Sequence, residues 1–413
     1  MKQREREDFC ALAHNLQVGL WRTKPDKQGR AVTLSNPLWT PSSERVEASN
    51  LTAFARRCVE DGAPEGTDYT AFHRWSVEND EAFWANVWND ASIIGERGDP
   101  VIERGAPIKG TRFFPEAELS FAENLLRGAG SGDAIVFRGE DAEKRKLSFD
   151  QLRALVSQLQ QAMRAAGVSK GDRVAAMVPN LPETVACMLA ANSIGAVWSS
   201  CSPDFGVQGV LDRFAQINPT LFIACDGYRY NGKWNDVTAK AAEIREALGS
   251  VPTVLLPYGP KMDAAPAGTM ALADFIADHP ATEPIFERLP FDHPLYILFS
   301  SGTTGVPKCI VHRQGGVLLQ HVKEHRLHCD IRAGDRVFYF TTCGWMMWNW
   351  LVSALALEAT LMLYDGSPFH PGPEVIFDYA EQERFSFFGT SAKFIGAAGN
   401  GRQMNIGRDA LID

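Results

Sequence analysis

Leu295-Tyr296-Ile297-Leu298-Phe299-Ser300-Ser301-Gly302-Thr303-Thr304-Gly305-Val306-Pro307-Lys308 decides how this chain is read. Its first five residues are a short apolar run, which predicts a buried parallel strand. The residues from Ser300 onward are rich in hydroxyls, with two glycines that let the backbone curl and one lysine. Backbone N–H groups in such a loop form an anion-binding concavity, so the ligand expected here is a phosphate chain. The spacing is not G-x-x-x-x-G-K-[ST], because Lys308 follows Pro307 and precedes Cys309. That disfavours a P-loop kinase.

On both sides of this stretch strands and helices alternate. Leu147 to Gln151 holds a capping box, Ser148 with Gln151 three residues later. The helix it opens carries Leu152, Leu155, Val156, Leu159 and Met163 at helical spacing and ends near Gly167. Strands are predicted at Arg173–Val178, Gly195–Ser199, Leu221–Cys225, Val337–Thr341, Thr360–Tyr364 and Phe385–Gly389. Helices are predicted at Glu183–Ser193 and Phe205–Ile217. This alternation implies an α/β fold with mostly parallel sheets. Residues 1–130 read differently, as a tryptophan-rich helical or irregular extension with a helix at Asp80–Ala91. The expected domains are that extension and an α/β domain over 131–413, with subdomains of about 131–270 and 271–413.

Composition narrows the classes. The 413 residues suit two or three domains. A net charge of −9 argues against a nucleic-acid partner, which would call for a basic surface. Thr184 to Pro203 is uncharged, but its serines and glycine suit a helix-and-strand core better than a bilayer span, so no membrane is expected. The charged N-terminus lacks the apolar centre of a signal peptide. The eight cysteines include no C-x-x-C pair, which fits buried thiols of a reduced, cytoplasmic protein. His321, His325 and His328 share a helix face; a metal site is conceivable, but no carboxylate or cysteine pattern completes it. Ordinary helix positions are the favoured reading, and His312 is unassigned.

The run at 300–308 resembles the phosphate-binding signature of the adenylate-forming superfamily, as do Gly171 to Ala175 and Pro179-Asn180. Longer matches are more specific. Ile194 to Gly206, Asp226 to Lys233 and Thr341 to Trp350 are similar to acetoacetyl-CoA synthetases, and His73 to Glu78 and Phe121 to Leu126 resemble that family's N-terminal extension. The resemblance implies the large N-terminal domain of that superfamily. It also implies ligation of acetoacetate to CoA, with ATP, Mg²⁺ and CoA required and an acyl-adenylate formed on the way. A ligase for acetate, propionate or a 3-hydroxy acid, and an inactive nucleotide- or partner-binding fragment, stay open as alternatives. Oligomeric state is open too.

Residue by residue, the resemblance implies that Ser300, Ser301, Gly302, Thr303, Thr304, Gly305 and Lys308 hold the ATP phosphates, with Lys308 and Thr303 acting in catalysis. Arg229 and Lys233 fall where relatives place arginines near the CoA 3′-phosphate. Pro203 and Asp204 replace a glycine pair that runs along CoA. Trp345, Met346 and Met347 are acyl-pocket candidates, and Asn349 is a candidate partner for a 3-keto oxygen. The Tyr-Gly-x-Thr-Glu segment, the ribose-binding Thr-Gly-Asp and the mobile C-terminal domain are not found before Asp413. The chain is thus expected to be the N-terminal part of a longer enzyme, with the Mg²⁺ ligand beyond Asp413 and its own ligase activity impaired.

Overall fold

The computed structural model describes residues 40–66, 68–106, 108–259, 265–300 and 305–400. The charged N-terminus, and Ser301, Gly302, Thr303 and Thr304 of the loop, lie outside the described residues. The chain divides into two compact units between Asn86 and Val87. In the first, helices Asn50–Cys58 and Tyr69–Glu78 are capped by Ser49 and Asp68. Phe54 packs edge-on against Phe72 and Phe83 at 6.1 and 5.8 Å. The helix predicted at Asp80–Ala91 runs over Asp80–Asp90.

The second unit holds the sheets. Its main strands are β1 (Asp133–Gly139), β2 (Lys144–Ser148), β3 (Arg173–Met177), β4 (Val197–Cys201), β5 (Leu221–Cys225), β6 (Gly227–Tyr230) and β7 (Lys233–Asp236). They continue with β8 (Thr253–Leu256), β9 (Met270–Ala271), β10 (Pro294–Ser300), β11 (Lys308–Arg313), β12 (Arg336–Tyr339), β13 (Thr360–Asp365) and β14 (Phe387–Gly389). A seven-stranded sheet has the order β9-β8-β5-β3-β4-β10-β11, parallel except for β11. A five-stranded sheet has the order β14-β12-β13-β1-β2, parallel except for β2. The two interleave in sequence: β1 and β2 precede the first sheet's strands, and β12 to β14 follow them.

Helix α1 (Phe149–Ala165) starts with the expected capping box and is followed by Gly167 at φ +92°. Helix α2 (Pro182–Ile194) is apolar on every side and buried along its length, apart from Glu183. It packs on α1 and touches strands of both sheets, β4 from one and β1 and β2 from the other. That position explains its membrane-like composition: a helix apolar all round belongs in a core. No helix among the described residues is long and apolar enough to cross a membrane.

Two element boundaries moved for a physical reason. The strand expected from Gly195 starts at Val197, because Gly195 caps α2 at φ +82°. Helix α3 is Val207–Phe214, shorter than expected, with Gly206 as its cap. Behind the seven-stranded sheet, Met177, Phe214, Phe222, Ile244 and Leu255 share one core. On the five-stranded sheet Phe338, Met362 and Tyr379 form another.

Candidate functional site

The phosphate-loop stretch is the link of a β-hairpin. β10 ends at Ser300, β11 begins at Lys308, and the two residues are register partners. β10 also runs parallel to β4 through Tyr296 and Trp198, so Ser300 sits at the carboxyl edge of the parallel strands, where ligands of open α/β sheets bind. Gly305 has φ +98° with open space around it, so its glycine answers to backbone conformation. The returning arm is gripped by Gln216, which donates to the Pro307 carbonyl (2.9 Å) and accepts from the Cys309 thiol (3.7 Å). Lys308 is exposed, and its ammonium has no ion-pair partner among the described residues.

Beside Phe299 lies a narrow cavity of about 40 Å³, lined by residues that include Ser200, Ser202, Phe205, Arg213, Thr342 and Trp345. Arg213 stacks its guanidinium over Phe205 at 4.6 Å. The floor is built by polar ties between the sheets. The Ser200 hydroxyl donates to the Cys343 carbonyl (2.6 Å), and the Cys343 thiol to the Pro179 carbonyl (3.4 Å). Asn180 donates its backbone N–H to Asp365 Oδ1 (3.1 Å) and accepts at Oδ1 from the Trp348 indole (2.9 Å). Burial pushes the Asp365 carboxyl up to about 7, the Asn180 N–H opposes this, and Glu140 and Asp204 add repulsion.

Of the four acyl-pocket candidates, Trp345 lines this cavity. Trp345 and Met346 are exposed, at 61% and 46%. Asn349 is buried, and its side-chain NH₂ donates to the Trp345 carbonyl at 3.4 Å. The turn at Pro203 and Asp204 is held by Lys240, whose ammonium donates to the Pro203 and Phe205 carbonyls at 2.6 and 2.9 Å.

Arg229 and Lys233 occupy a second hairpin, β6–β7, closed by Asn231 and Gly232 at φ +53° and +78°. Two residues with positive φ are what a tight hairpin turn requires, and Asn-Gly is its strongest sequence signal. The register pairs Arg229 with Trp234 and Tyr230 with Lys233. Arg229 and Lys233 therefore project from opposite faces. Arg229 lies 2.6 Å from Asp141 and stacks over Trp234 at 5.6 Å. It lines a larger cavity of about 330 Å³ with Asp141, Glu143, Arg145, Pro257, Tyr258 and Gly259.

The histidines are core residues or surface ones. His321 Nδ1 lies 2.8 Å from the Ser353 hydroxyl, and His325 Nε2 lies 2.8 Å from the Trp350 carbonyl. Burial pushes their pKa values down to about 3 and about 4. His328 is exposed, and His312 is half-buried against the Tyr296 ring at 4.9 Å. Gln216, Lys240, Asp365 and Glu140 were not singled out from sequence; of the inter-sheet ties, Pro179-Asn180, Ser200, Cys343 and Trp348 lie in stretches that carried a signal, and Asp365 does not.

Comparison with known proteins adds four findings. The model of the family described as AMP-binding enzyme matches residues 126–398. The acetoacetyl-coenzyme A synthetase of Rhizobium meliloti (strain 1021) is 61% identical over 88% of this chain and 56% of its own length. The malonamoyl-CoA synthetase vrtB of Penicillium aethiopicum is 39% identical over 86% of this chain and 50% of its own. Among solved structures, an acetoacetyl-CoA synthetase from Streptomyces lividans superposes with a TM-score of 0.84 at 40% identity, over 89% of this chain and 57% of that one. The chain thus spans about half the length of the relatives it matches.

Proposed function

Because this chain belongs to the AMP-binding enzyme family, we propose that it carries the ATP- and acyl-handling part of a ligase that joins acetoacetate to CoA. In the first half-reaction an acetoacetate oxygen attacks the α-phosphorus of ATP, and the bond to pyrophosphate breaks. In the second, the CoA sulfur attacks the acyl carbon and AMP leaves. The observation that carries the choice of acid is the 61% identity to an acetoacetyl-coenzyme A synthetase.

The residues take these roles. The hydroxyls of Ser300, Ser301, Thr303 and Thr304 donate to the β- and γ-phosphates, and Gly302 and Gly305 let the backbone come close. Lys308, exposed at the hairpin's returning arm, supplies a point charge where negative charge gathers in the transition state. Trp345, at the cavity beside Phe299, bounds the acyl group, and Met346, Met347 and Asn349 are its further candidates on the helix that Trp345 opens. Arg229 meets the 3′-phosphate of CoA at the larger cavity, whereas Lys233 projects from the opposite hairpin face. Mg²⁺ belongs with ATP in this chemistry. The described residues contain no group of three or more His, Cys, Asp or Glu fit to hold it, so what they offer the phosphates is Lys308 and the Ser300 hydroxyl.

A second reading, a ligase for a related short acid such as malonamate, is favoured by the 39% identical relative of that name. Thioester formation from acetoacetate, acetate, propionate, 3-hydroxybutyrate and malonamate separates the two. Acetoacetate is expected to be fastest; faster turnover of any other acid contradicts the assignment.

A further inference from the structure

Glu140 follows β1 directly and is 8% exposed, with no ion-pair partner among the described residues. A buried carboxylate without a counter-ion is costly unless its oxygens are hydrogen-bonded. Three backbone amides do this. Oε2 accepts from Asn231 N (2.9 Å) and Ser367 N (2.5 Å), and Oε1 from Gly232 N (2.5 Å). Two of the amides form the tip of the β6–β7 hairpin, and the third lies in the loop after β13. Glycines make the approach possible. A Cβ on Gly366, at φ +130°, would sit 2.4 Å from the Glu140 Cβ, and one on Gly232 would meet the His370 ring at 2.9 Å.

The hairpin's other end is also fixed. The Asp226 carboxylate accepts from Tyr258 N and Gly259 N, both at 3.0 Å. The Trp234 indole fills the space that side chains at Gly227 and Gly259 would need. Arg229 is held between these anchors, stacked on Trp234 and paired with Asp141, the residue after Glu140.

We infer that Glu140 is a positioning residue: it pins the tip of the β6–β7 hairpin so that Arg229 stays in the wall of the larger cavity, ready for the 3′-phosphate of CoA. The inference rests on the CoA reading above. It is distinct from a general structural role, because it acts on one phosphate of one ligand.

The test uses Glu140→Gln, which keeps the side chain's size but sets an NH₂ against an N–H donor. Kd values of the 413-residue chain for CoA and for 3′-dephospho-CoA are measured by calorimetry, with Arg229→Ala alongside. The expected result for Glu140→Gln is about tenfold weaker CoA binding, the size of one charged hydrogen bond. Binding of 3′-dephospho-CoA should change less than about twofold on the same scale. Amide exchange of the hairpin over 227–236 should quicken. Arg229→Ala should show the same ligand pattern. CoA affinity kept in Glu140→Gln but lost in Arg229→Ala overturns the role of Glu140 and leaves the CoA reading standing. Equal weakening for both ligands also overturns it. Unchanged CoA affinity in Arg229→Ala, or no CoA binding by the unmodified chain, overturns the CoA reading and this inference with it. Should Glu140→Gln fail to fold, Glu140→Asp keeps the carboxylate one methylene back and is read by the same criteria.

Discussion

Replacing Asp365 with asparagine should change how stability depends on pH. In the fold the Asp365 carboxyl is pushed up to about 7, chiefly by burial. In the unfolded chain it titrates near its ordinary value of 3.8. A raised pKa stabilises the protonated form. The contribution is fully present below the unfolded value, declines as pH rises, and is gone once pH passes the folded value. The gap of about 3 units corresponds to about 4 kcal/mol at most. Asp365 keeps part of its solvent contact, and screening halves this to about 2 kcal/mol. The substituted amide would be neutral throughout and keep an oxygen for the Asn180 N–H. The variant's advantage over the natural chain should therefore be small at pH 4.5 and grow to about 2 kcal/mol by pH 8. For a chain this size that is a rise in Tm of about 2 °C. The assay is thermal unfolding of both proteins from pH 4.5 to 8.5. Subtraction cancels the buried histidines, which titrate in both. A difference constant across that range, or one that shrinks as pH rises, refutes the reasoning.

Other outcomes follow from the same geometry. Lys308→Ala should slow adenylation by about a hundredfold without lowering Tm, since the side chain is exposed and charge at the phosphates is lost; an unchanged pyrophosphate-exchange rate would remove its role. His325 is held well below its ordinary 6.5, at about 4, so the folded chain loses stability as pH falls between those values. His325→Gln should flatten that acid limb in urea titrations, and an identical limb in the variant counts against a buried neutral ring. Gly232→Ala forces a side chain into φ +78° and against His370, and should cost about 1–3 kcal/mol, read as a lower Tm. Asn180→Ala leaves the Trp348 indole without its acceptor, and about 1–3 kcal/mol of stability should go with it.

Parallel strands such as β3, β5 and β13 were legible because each is a short apolar run beside polar turns. The helix over Phe149–Ala165 was legible because Ser148 and Gln151 cap it. Gly195 misled, since a glycine that ends a helix and one that starts a strand look alike in sequence. The Asn231-Gly232 hairpin carried a readable signal, but residue type alone does not place Arg229 and Lys233 on a face. Only the strand register separates them onto opposite faces. Glu140, Gln216 and Lys240 stayed hidden for a different reason. Each binds backbone groups distant in sequence, as Glu140 does with Asn231, Gly232 and Ser367. Backbone N–H and carbonyl partners leave no trace in residue type. Interleaving of the two sheets was hidden likewise, because β1 reads like any other buried strand until its partner β13 is known.

Acetoacetate-dependent exchange of pyrophosphate into ATP by the purified 413-residue chain tests the central claim most directly. The account predicts exchange that requires acetoacetate and exceeds that with acetate. A folded chain that gives no exchange with acetoacetate, or more with acetate, contradicts it.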